Sequence, residues 1–337
     1  MSFEPKLTVY NIKIIPENQE IENSNRWLFR NIIGEANETK LADSFIFINL
    51  FKKFIKELDQ PEMYSDQKSK KCITANQPNI KDPGVSPNIY PDSGKFIIHG
   101  QIEGGAYGRV RNKTSTKNKT EKTGVNENDA ITDDFYFLIY LPPASNKVIL
   151  MIQSYSGDSI DSVMKIFFKN FLSVSGVFKP AKISRFVPES IINDFKNKSM
   201  VSNLKFTTEV LGKTLLNRSS KLKQRKFRVT VQITPIEGDF TVDEFEDSIN
   251  SISQVVVTKN RLKDFLRKKG TLRDITTNSQ SPFVLGSDFE IQPVIMLSKY
   301  IDFKEDKMDF EKVKTYCMEL LNEIKPQIYP ENGTQER

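Results

Sequence analysis

The chain has 337 residues, of which 38% are hydrophobic and 27% charged, with a formal net charge of +6 and a mean hydropathy of −0.45. This composition excludes disorder along the whole chain, and the length predicts about two domains. No apolar run approaches the roughly 18 residues of a membrane span, and residues 1–10 lack the features of a signal peptide, so we expect a cytoplasmic protein.

The N-terminal part predicts a strand, two helices and a long irregular segment. β-Branched and aromatic residues predict a strand over 7–15. Apolar spacing predicts a helix near Trp27 and a longer core helix that begins at Asp43. Residues 59–94 contain five prolines and few apolar residues in register, which predicts a long loop.

A glycine-rich run follows this segment. Residues 95–102 predict a strand that contains His99, and Gly104-Gly105 predict a turn into a second strand through Tyr107 and Arg111. The polar and basic residues 112–128 cannot bury enough apolar area to order themselves, so we expect a mobile loop there.

Residues 135–172 predict a ββα unit. An apolar strand over 135–141 and a returning strand over 148–152 precede a helix with an apolar stripe from Ile160 to Leu172. We expect this helix to be buried.

The C-terminal part predicts shorter elements. Strands are expected at 182–187, 204–210, 227–233 and 289–297. Helices are expected after Pro188, after a capping box at Thr241 and Glu244, over 261–269 with a stop at Gly270, and from 310 to Pro326 with Cys317 on its apolar side.

Together these elements predict an α+β fold of mixed or antiparallel sheets with packed helices, in two lobes. We expect an N-terminal and central core over 1–180 that carries the loops 59–94 and 112–128. Residues 181–337 would form a C-terminal α+β lobe with a basic surface.

The positive charge is concentrated in three windows. Residues 213–228 contain seven bases and no acid, residues 259–273 seven bases and one acid, and residues 109–122 six bases and one acid. The windows therefore carry +18, and the rest of the chain carries −12 against the total of +6. Such clustering is typical of a surface that binds polyanions, although three solvated loops would have the same composition.

The two C-terminal windows supply the candidate DNA-binding residues. Lys226 and Arg228 on a strand, with Lys263, Arg267 and Lys268 on a neighbouring helix, could form one groove for phosphates. The full set of candidates is Lys213, Arg218, Lys221, Lys223, Arg225, Lys226, Arg228, Lys259, Arg261, Lys263, Arg267, Lys268 and Lys269.

Catalytic chemistry has less support. The glycine-rich run lacks the Gly-Lys-Ser/Thr ending of a phosphate-binding loop, and the only histidine has no neighbouring nucleophile in the sequence. The carboxylate pairs Asp133-Asp134, Asp239 with Asp243, and Asp288 with Glu290 lack the lysine spacing of PD-(D/E)xK nucleases. Two cysteines without CxxC spacing indicate neither a zinc site nor a disulfide framework. We therefore assign no catalytic residue, metal or cofactor.

The chain resembles the RexA-like phage-exclusion proteins. The similarity lies in FYFLIY at 135–140, in KVILMIQSYSGDS at 147–159 and in the helix that ends near Phe171-Leu172. Segments 185–188, 204–211, 229–233 and 313–317 come in a similar order. The resemblance implies a non-enzymatic, largely sequence-independent DNA-binding protein that dimerises and acts in defence against phage, in some cases with a membrane-protein partner.

The function expected from the sequence is therefore binding of double-stranded DNA, by a homodimer, in abortive infection or phage exclusion. Two alternatives remain: a metal-dependent nuclease or other nucleic-acid-processing effector, and a protein-interaction module.

Overall fold

The structure, a computed structural model, describes residues 4–38, 40–75, 88–118, 120–155, 158–211, 225–257, 260–275, 280–286, 290–304 and 308–329. It has the expected α+β fold, built from helices and largely antiparallel sheets. Two compact units are present: unit 1 comprises Met1–Phe186 and Met296–Arg337, and unit 2 comprises Val187–Ile295. Residues 296–337, expected in the C-terminal lobe, thus belong with the N-terminal part.

The helices in chain order are α1 (Asn25–Ile33), α2 (Asp43–Leu58), α3 (Asp161–Phe171), α4 (Glu189–Lys198), α5 (Val242–Ser253) and α6 (Phe310–Ile328). The strands are β1 (Pro5–Pro16), β2 (Tyr64–Asp66), β3 (Lys71–Thr74), β4 (Ile89–Asp92), β5 (Ile97–Ala106), β6 (Arg111–Thr114), β7 (Lys122–Val125), β8 (Ile131–Tyr140), β9 (Lys147–Tyr155), β10 (Phe178–Phe186), β11 (Ser199–Leu211), β12 (Lys226–Ile233), β13 (Phe240–Thr241), β14 (Val256–Val257), β15 (Asn260–Arg261), β16 (Arg267–Asp274), β17 (Gln280–Leu285), β18 (Ile291–Pro293) and β19 (Ile295–Met296).

Unit 1 is built on a nine-stranded sheet. Its strand order is β10-β1-β9-β8-β5-β3-β2, with β4 paired to β5 and β19 paired to β1. One face buries apolar side chains of β1, β5, β8 and β9 in a core with α1, α2 and α3. Helix α6 packs against β8 and β5. Its buried residues include Cys317, and burial, together with this thiol, raises the pKa of Tyr136 on β8.

The expected helices of unit 1 form for local reasons. The Ser24 hydroxyl accepts a hydrogen bond of 3.2 Å from the backbone N–H of Trp27 and so caps α1. Gly34 ends α1 with φ 85°, in the left-handed region that glycine adopts without strain. The ββα unit of β8, β9 and α3 is confirmed, and α3 buries Val163, Met164, Phe167 and Phe168.

The glycine-rich run does not form the expected hairpin turn. Strand β5 continues through Gly104 and Gly105 and pairs with β8 along its whole length. A Cβ at Gly105 would lie 1.8 Å from the carbonyl oxygen of Ile131, so glycine permits the close approach of β8. The turn prediction is wrong because the run lies between strand partners on both sides.

Two expected loops contain strands. The described part of 59–94 holds β2, β3 and β4, whereas 76–87 lies outside the described residues. Segment 112–128 contains most of a two-stranded ribbon, in which β6 pairs with β7. Backbone hydrogen bonding, which the composition does not register, accounts for both differences.

Unit 2 contains a six-stranded sheet in the order β12-β11-β16-β17-β18, with β13 paired to β11. One face of this sheet packs on α5 through a core that includes Phe206, Phe245 and Phe283. The predicted capping box begins α5: Thr241 accepts from the backbone N–H of Glu244, and the Glu244 carboxylate accepts from that of Thr241.

The expected helix over 261–269 is wrong. Leu262–Asp264 form a 3-10 turn, and β16 begins at Arg267 and pairs with β11. Leu262 and Phe265 are buried as expected, but Leu266 is 74% exposed. Gly270 lies within β16, where a Cβ would come 2.1 Å from the ring of Phe283, and so provides space for that ring instead of stopping a helix.

The end of the chain differs in detail from expectation. The strand expected over 289–297 is divided into β18 and β19. Helix α6 continues past Pro326 to Ile328, since Ile328 is buried and the Tyr329 hydroxyl donates to the carbonyl oxygen of Lys147. Tertiary packing thus extends the helix beyond the proline.

Candidate nucleic-acid interface

The sheet of unit 2 has a second face that is open to solvent. Along β11, Leu204, Phe206 and Val210 are buried, whereas Lys205 and Glu209 between them are exposed. Along β12 the residues alternate between exposed and half-buried. Because side chains alternate between the faces of a strand, the sheet has a polar face opposite its core, which we call the outer face.

Strand register brings basic residues together on the outer face. Lys205 lies opposite Lys269 on β16, and Thr207 lies opposite Arg267. On the other side of β11, Glu209 lies opposite Arg228, and Leu211 lies opposite Lys226. Neighbouring strands are about 4.8 Å apart, and same-face residues along a strand about 6.8 Å apart. Five cations of the outer face are Lys205, Lys226, Arg228, Arg267 and Lys269. Alternation along β16 places Arg273 on the same side, and its guanidinium is paired with Asp239.

The charge of this face is uncompensated. Apart from Arg273, which Asp239 neutralises, five cations and the single anion Glu209 on β11, β12 and β16 give a net +4. None of the five forms an ion pair with another described residue. Among the other bases of unit 2, Lys196 is paired with Glu246 at 2.9 Å, and Arg273 with Asp239 at 2.8 Å. The outer face therefore presents solvated cations that are available to an anionic partner.

The remaining residues of the outer face on β11 and β12 are polar, apart from the exposed Leu211. Thr207 and Thr230 share a hydrogen bond of 3.2 Å between their hydroxyl groups, and Gln232 lies opposite Lys205. No aromatic side chain of the described parts of β11, β12 and β16 lies on this side of the sheet. A face with cations and without rings is suited to phosphates, not to stacking of exposed bases.

A shallow groove of about 350 Å³ adjoins the outer face at the start of β16. Arg267, Lys268 and Lys269 line it together with the exposed Leu266 and the end of β17. Three consecutive bases thus border one concavity.

The thirteen sequence candidates are only partly brought together. Lys226, Arg228, Arg267 and Lys269 lie on the outer face, whereas Lys268 lies opposite Phe206 and therefore on the other side of the sheet. Lys263 is exposed on the 3-10 turn, and the Arg261 guanidinium donates to the side chain of Gln254 at 2.9 Å. Arg225 is exposed just before β12. The candidates outside the described residues are Lys213, Arg218, Lys221, Lys223 and Lys259.

The expected groove between a strand and a basic helix is therefore wrong in its geometry. Arg267 and Lys268 are neighbours in a strand, and their side chains alternate, so only Arg267 lies on the outer face. Sequence reasoning also missed Lys205, which stands outside the basic windows. The alternation of apolar and polar residues along β11 is the sequence signal that could have placed Lys205 on a solvent-facing side.

Other chemistry-bearing residues show no comparable arrangement. His99 is 8% exposed, with its ring between those of Tyr90 and Tyr136, and burial lowers its pKa. Burial raises the pKa of Asp133 and of Asp134. Over the described part of the chain, no three His, Cys, Asp or Glu side chains group closely enough to hold a metal ion.

No protein-family model matches the chain, and comparison with curated protein sequences gives no match. Within the described ranges, no helix combines the length and apolar character that a bilayer crossing requires.

Proposed function

We propose that this chain is a sequence-independent double-stranded DNA-binding protein that acts in the cytoplasm, as a homodimer, in defence against phage. The observation that supports DNA binding is the outer face, where three adjacent strands carry one anion and five cations that form no ion pair with another described residue. Each lysine or arginine that neutralises a phosphate releases condensed counterions, which drives binding without reference to sequence.

The composition of the outer face favours a duplex partner. A duplex exposes its phosphates and stacks its bases inside, so threonines and cations suffice for contact. A single strand would gain affinity from aromatic side chains, and the described residues of β11, β12 and β16 place none on this face. Threonine and glutamine can donate additional hydrogen bonds to phosphate oxygens.

The role in phage exclusion is supported by the resemblance to RexA-like proteins. The same resemblance supports the homodimer and a membrane-protein partner that completes the response. A two-fold dimer would present two outer faces to one duplex and so double the number of phosphate contacts. Sedimentation of the protein alone and with duplex tests this stoichiometry.

Charge reversal tests the outer face. The variant Lys205→Glu/Lys269→Glu changes two directly opposed cations on neighbouring strands. We expect its dissociation constant for a duplex of random sequence to rise at least about thirtyfold near 0.1 M salt, because two phosphate contacts become repulsive. The salt dependence of log Kd should become shallower by about 2.

The matched control is Lys52→Glu/Lys56→Glu, which makes the same charge change at two exposed positions of α2. It should bind like the wild type within about threefold, since only long-range, screened charge is altered. Equal losses in both variants would show that total charge, not the outer face, governs binding. Duplex that stays intact with Mg²⁺ and Mn²⁺ supports a binding protein, whereas cleavage would favour the nuclease alternative.

A further inference from the structure

The third basic window, residues 109–122, contributes to a two-stranded ribbon that is not part of the outer face. Strands β6 and β7 pair with Arg111 opposite Val125, Asn112 opposite Gly124, Lys113 opposite Thr123 and Thr114 opposite Lys122. Every side chain of the two strands is exposed except Val125, which is half-buried. The ribbon belongs to unit 1 and is separate from its nine-stranded sheet.

Such a ribbon is not expected to be stable by itself. An isolated two-stranded hairpin is marginal in water unless one face packs on a core, and neither face of this ribbon is apolar. The described turn is held by polar contacts: the Ser115 hydroxyl accepts from the backbone N–H groups of Lys117 and Asn118, and the Asn118 amide donates to Glu121 at 2.8 Å. The ribbon therefore presents mainly polar and charged side chains to solvent, and such a surface favours contact with a polar partner.

The cations of the ribbon lie on both of its faces. Arg111 and Lys113 share one face, and Lys122 lies on the other, because residues opposite each other across the strands point to the same side. None of the three forms an ion pair with a described residue. A flat anionic surface would attract only one face, so this distribution indicates a partner with anionic walls on both sides.

The dimensions of the ribbon match the major groove of B-form DNA. Four residues per strand span about 14 Å, and a strand pair with its side chains is about 10 Å thick. The major groove is about 12 Å wide and about 8.5 Å deep, admits a two-stranded ribbon, and has a phosphate backbone along each side. The minor groove, at about 6 Å, is too narrow for the same ribbon.

We propose that the β6–β7 ribbon enters the major groove of duplex DNA on its edge, with Arg111 and Lys113 toward one phosphate backbone and Lys122 toward the other. The described tip, 115–118, carries no apolar side chain that could wedge between base pairs, so the ribbon occupies the groove without kinking the duplex. This inference rests on the proposed partner, duplex DNA, but uses a separate site in the other unit.

One experiment removes a cation from each face of the ribbon. In Arg111→Gln/Lys122→Gln, the dissociation constant for duplex should rise about tenfold, and the slope of log Kd against log salt should fall by about 1.8. Exposed positions with polar replacements leave folding intact. The control Lys52→Gln/Lys56→Gln removes the same charge from α2 and should change neither quantity. Equal values for ribbon variant and control would overturn the inference.

A second experiment identifies the groove. Duplex with glucosylated 5-hydroxymethylcytosine carries bulky groups in the major groove, so wild-type affinity should fall about tenfold to that of the ribbon variant, which should bind both duplexes equally. Saturating netropsin, a minor-groove ligand, should change neither protein's binding. Unchanged wild-type affinity for the glucosylated duplex, or loss with netropsin, would overturn the groove assignment.

The proposed function of the outer face and the ribbon inference can be overturned separately. If Lys205→Glu/Lys269→Glu abolishes binding while the ribbon variant matches its control, only the ribbon inference is overturned. If the wild type binds no duplex even at low salt, both proposals are overturned.

Discussion

The two main sheets of the molecule are used differently. In unit 1, β8 buries five consecutive residues from Phe135 to Ile139, and β9 buries seven from Val148 to Ser154. In unit 2, β12 contains no fully buried residue and alternates between exposed and half-buried positions. The first sheet is covered on both faces, whereas the second is covered on one.

This difference determines where a ligand surface can form. A strand buried on both faces is a nearly continuous apolar run and has no positions to spare for charge. A strand with one solvated face can change every second residue with little effect on packing. The cations of the outer face occupy such positions, so unit 2 can acquire a polyanion surface without a change to its core.

The largest expected effect is a difference in the free energy of unfolding between two variants, one in each sheet. Phe137 on β8 is fully buried, and Phe137→Ala should lower the free energy of unfolding by about 3–5 kcal/mol. Thr230→Ala on the outer face should lower it by no more than about 0.5 kcal/mol, since its hydroxyl makes an exposed hydrogen bond. Urea unfolding followed by circular dichroism measures both. A large loss in Thr230→Ala would mean that the outer face is covered.

The second test uses the one histidine, which lies in the doubly covered sheet. Burial, and then Lys314, lower the pKa of His99 below its ordinary value of 6.5, against the opposite influence of Glu311 and Asp92. The unfolded chain therefore takes up this proton more readily, and the stabilising contribution of neutral His99 is lost as the pH falls below about 6.5 through the lowered pKa.

His99→Phe keeps a ring at this position and removes the titration. The stability of the wild type relative to this variant should decrease between pH 7.5 and pH 5, as measured by urea unfolding at each pH. Parallel pH profiles would mean that the imidazole is as well hydrated in the folded chain as in the unfolded one.

The smallest expected effect is a change in duplex affinity caused by a substitution on the outer face. Glu209 is its one anion and lies opposite Arg228. Glu209→Gln should strengthen duplex binding about threefold, since it removes one repulsive charge some 6 Å from the phosphates at high dielectric. Titration by fluorescence anisotropy at 0.1 M salt detects such a change. Weaker binding by this variant would show that Glu209 orients Arg228 for contact.

The sequence predicts the elements of unit 1 well where apolar residues repeat with a clear period. The strands around Phe137 and Leu150 and the stripe of α3 depend on burial, which hydrophobic periodicity reports directly. The glycines of β5 could not be interpreted in this way. Their role depends on neighbouring backbones that lie far away in the sequence.

The candidate interface shows the same limit. Leu262 and Phe265 are spaced as on a helix, yet pairing with β11 places the following bases in a strand. Composition detects that Arg267 and Lys269 are basic, but only the register shows that they share a face with Lys205 and that Lys268 does not. Clustering in sequence therefore predicts a charged unit better than it predicts which charges act together.

The return of α6 to unit 1 has a consequence for biosynthesis. Unit 2 is one continuous stretch of chain, so it can fold as soon as it leaves the ribosome. In unit 1, β8 and β5 are covered by α6 only after the end of the chain has been synthesised. N-terminal domains ordinarily fold first during translation. Here the earlier-synthesised unit is completed last, and until then the nascent chain exposes Tyr136 and Leu138 to the chaperones that bind apolar surface.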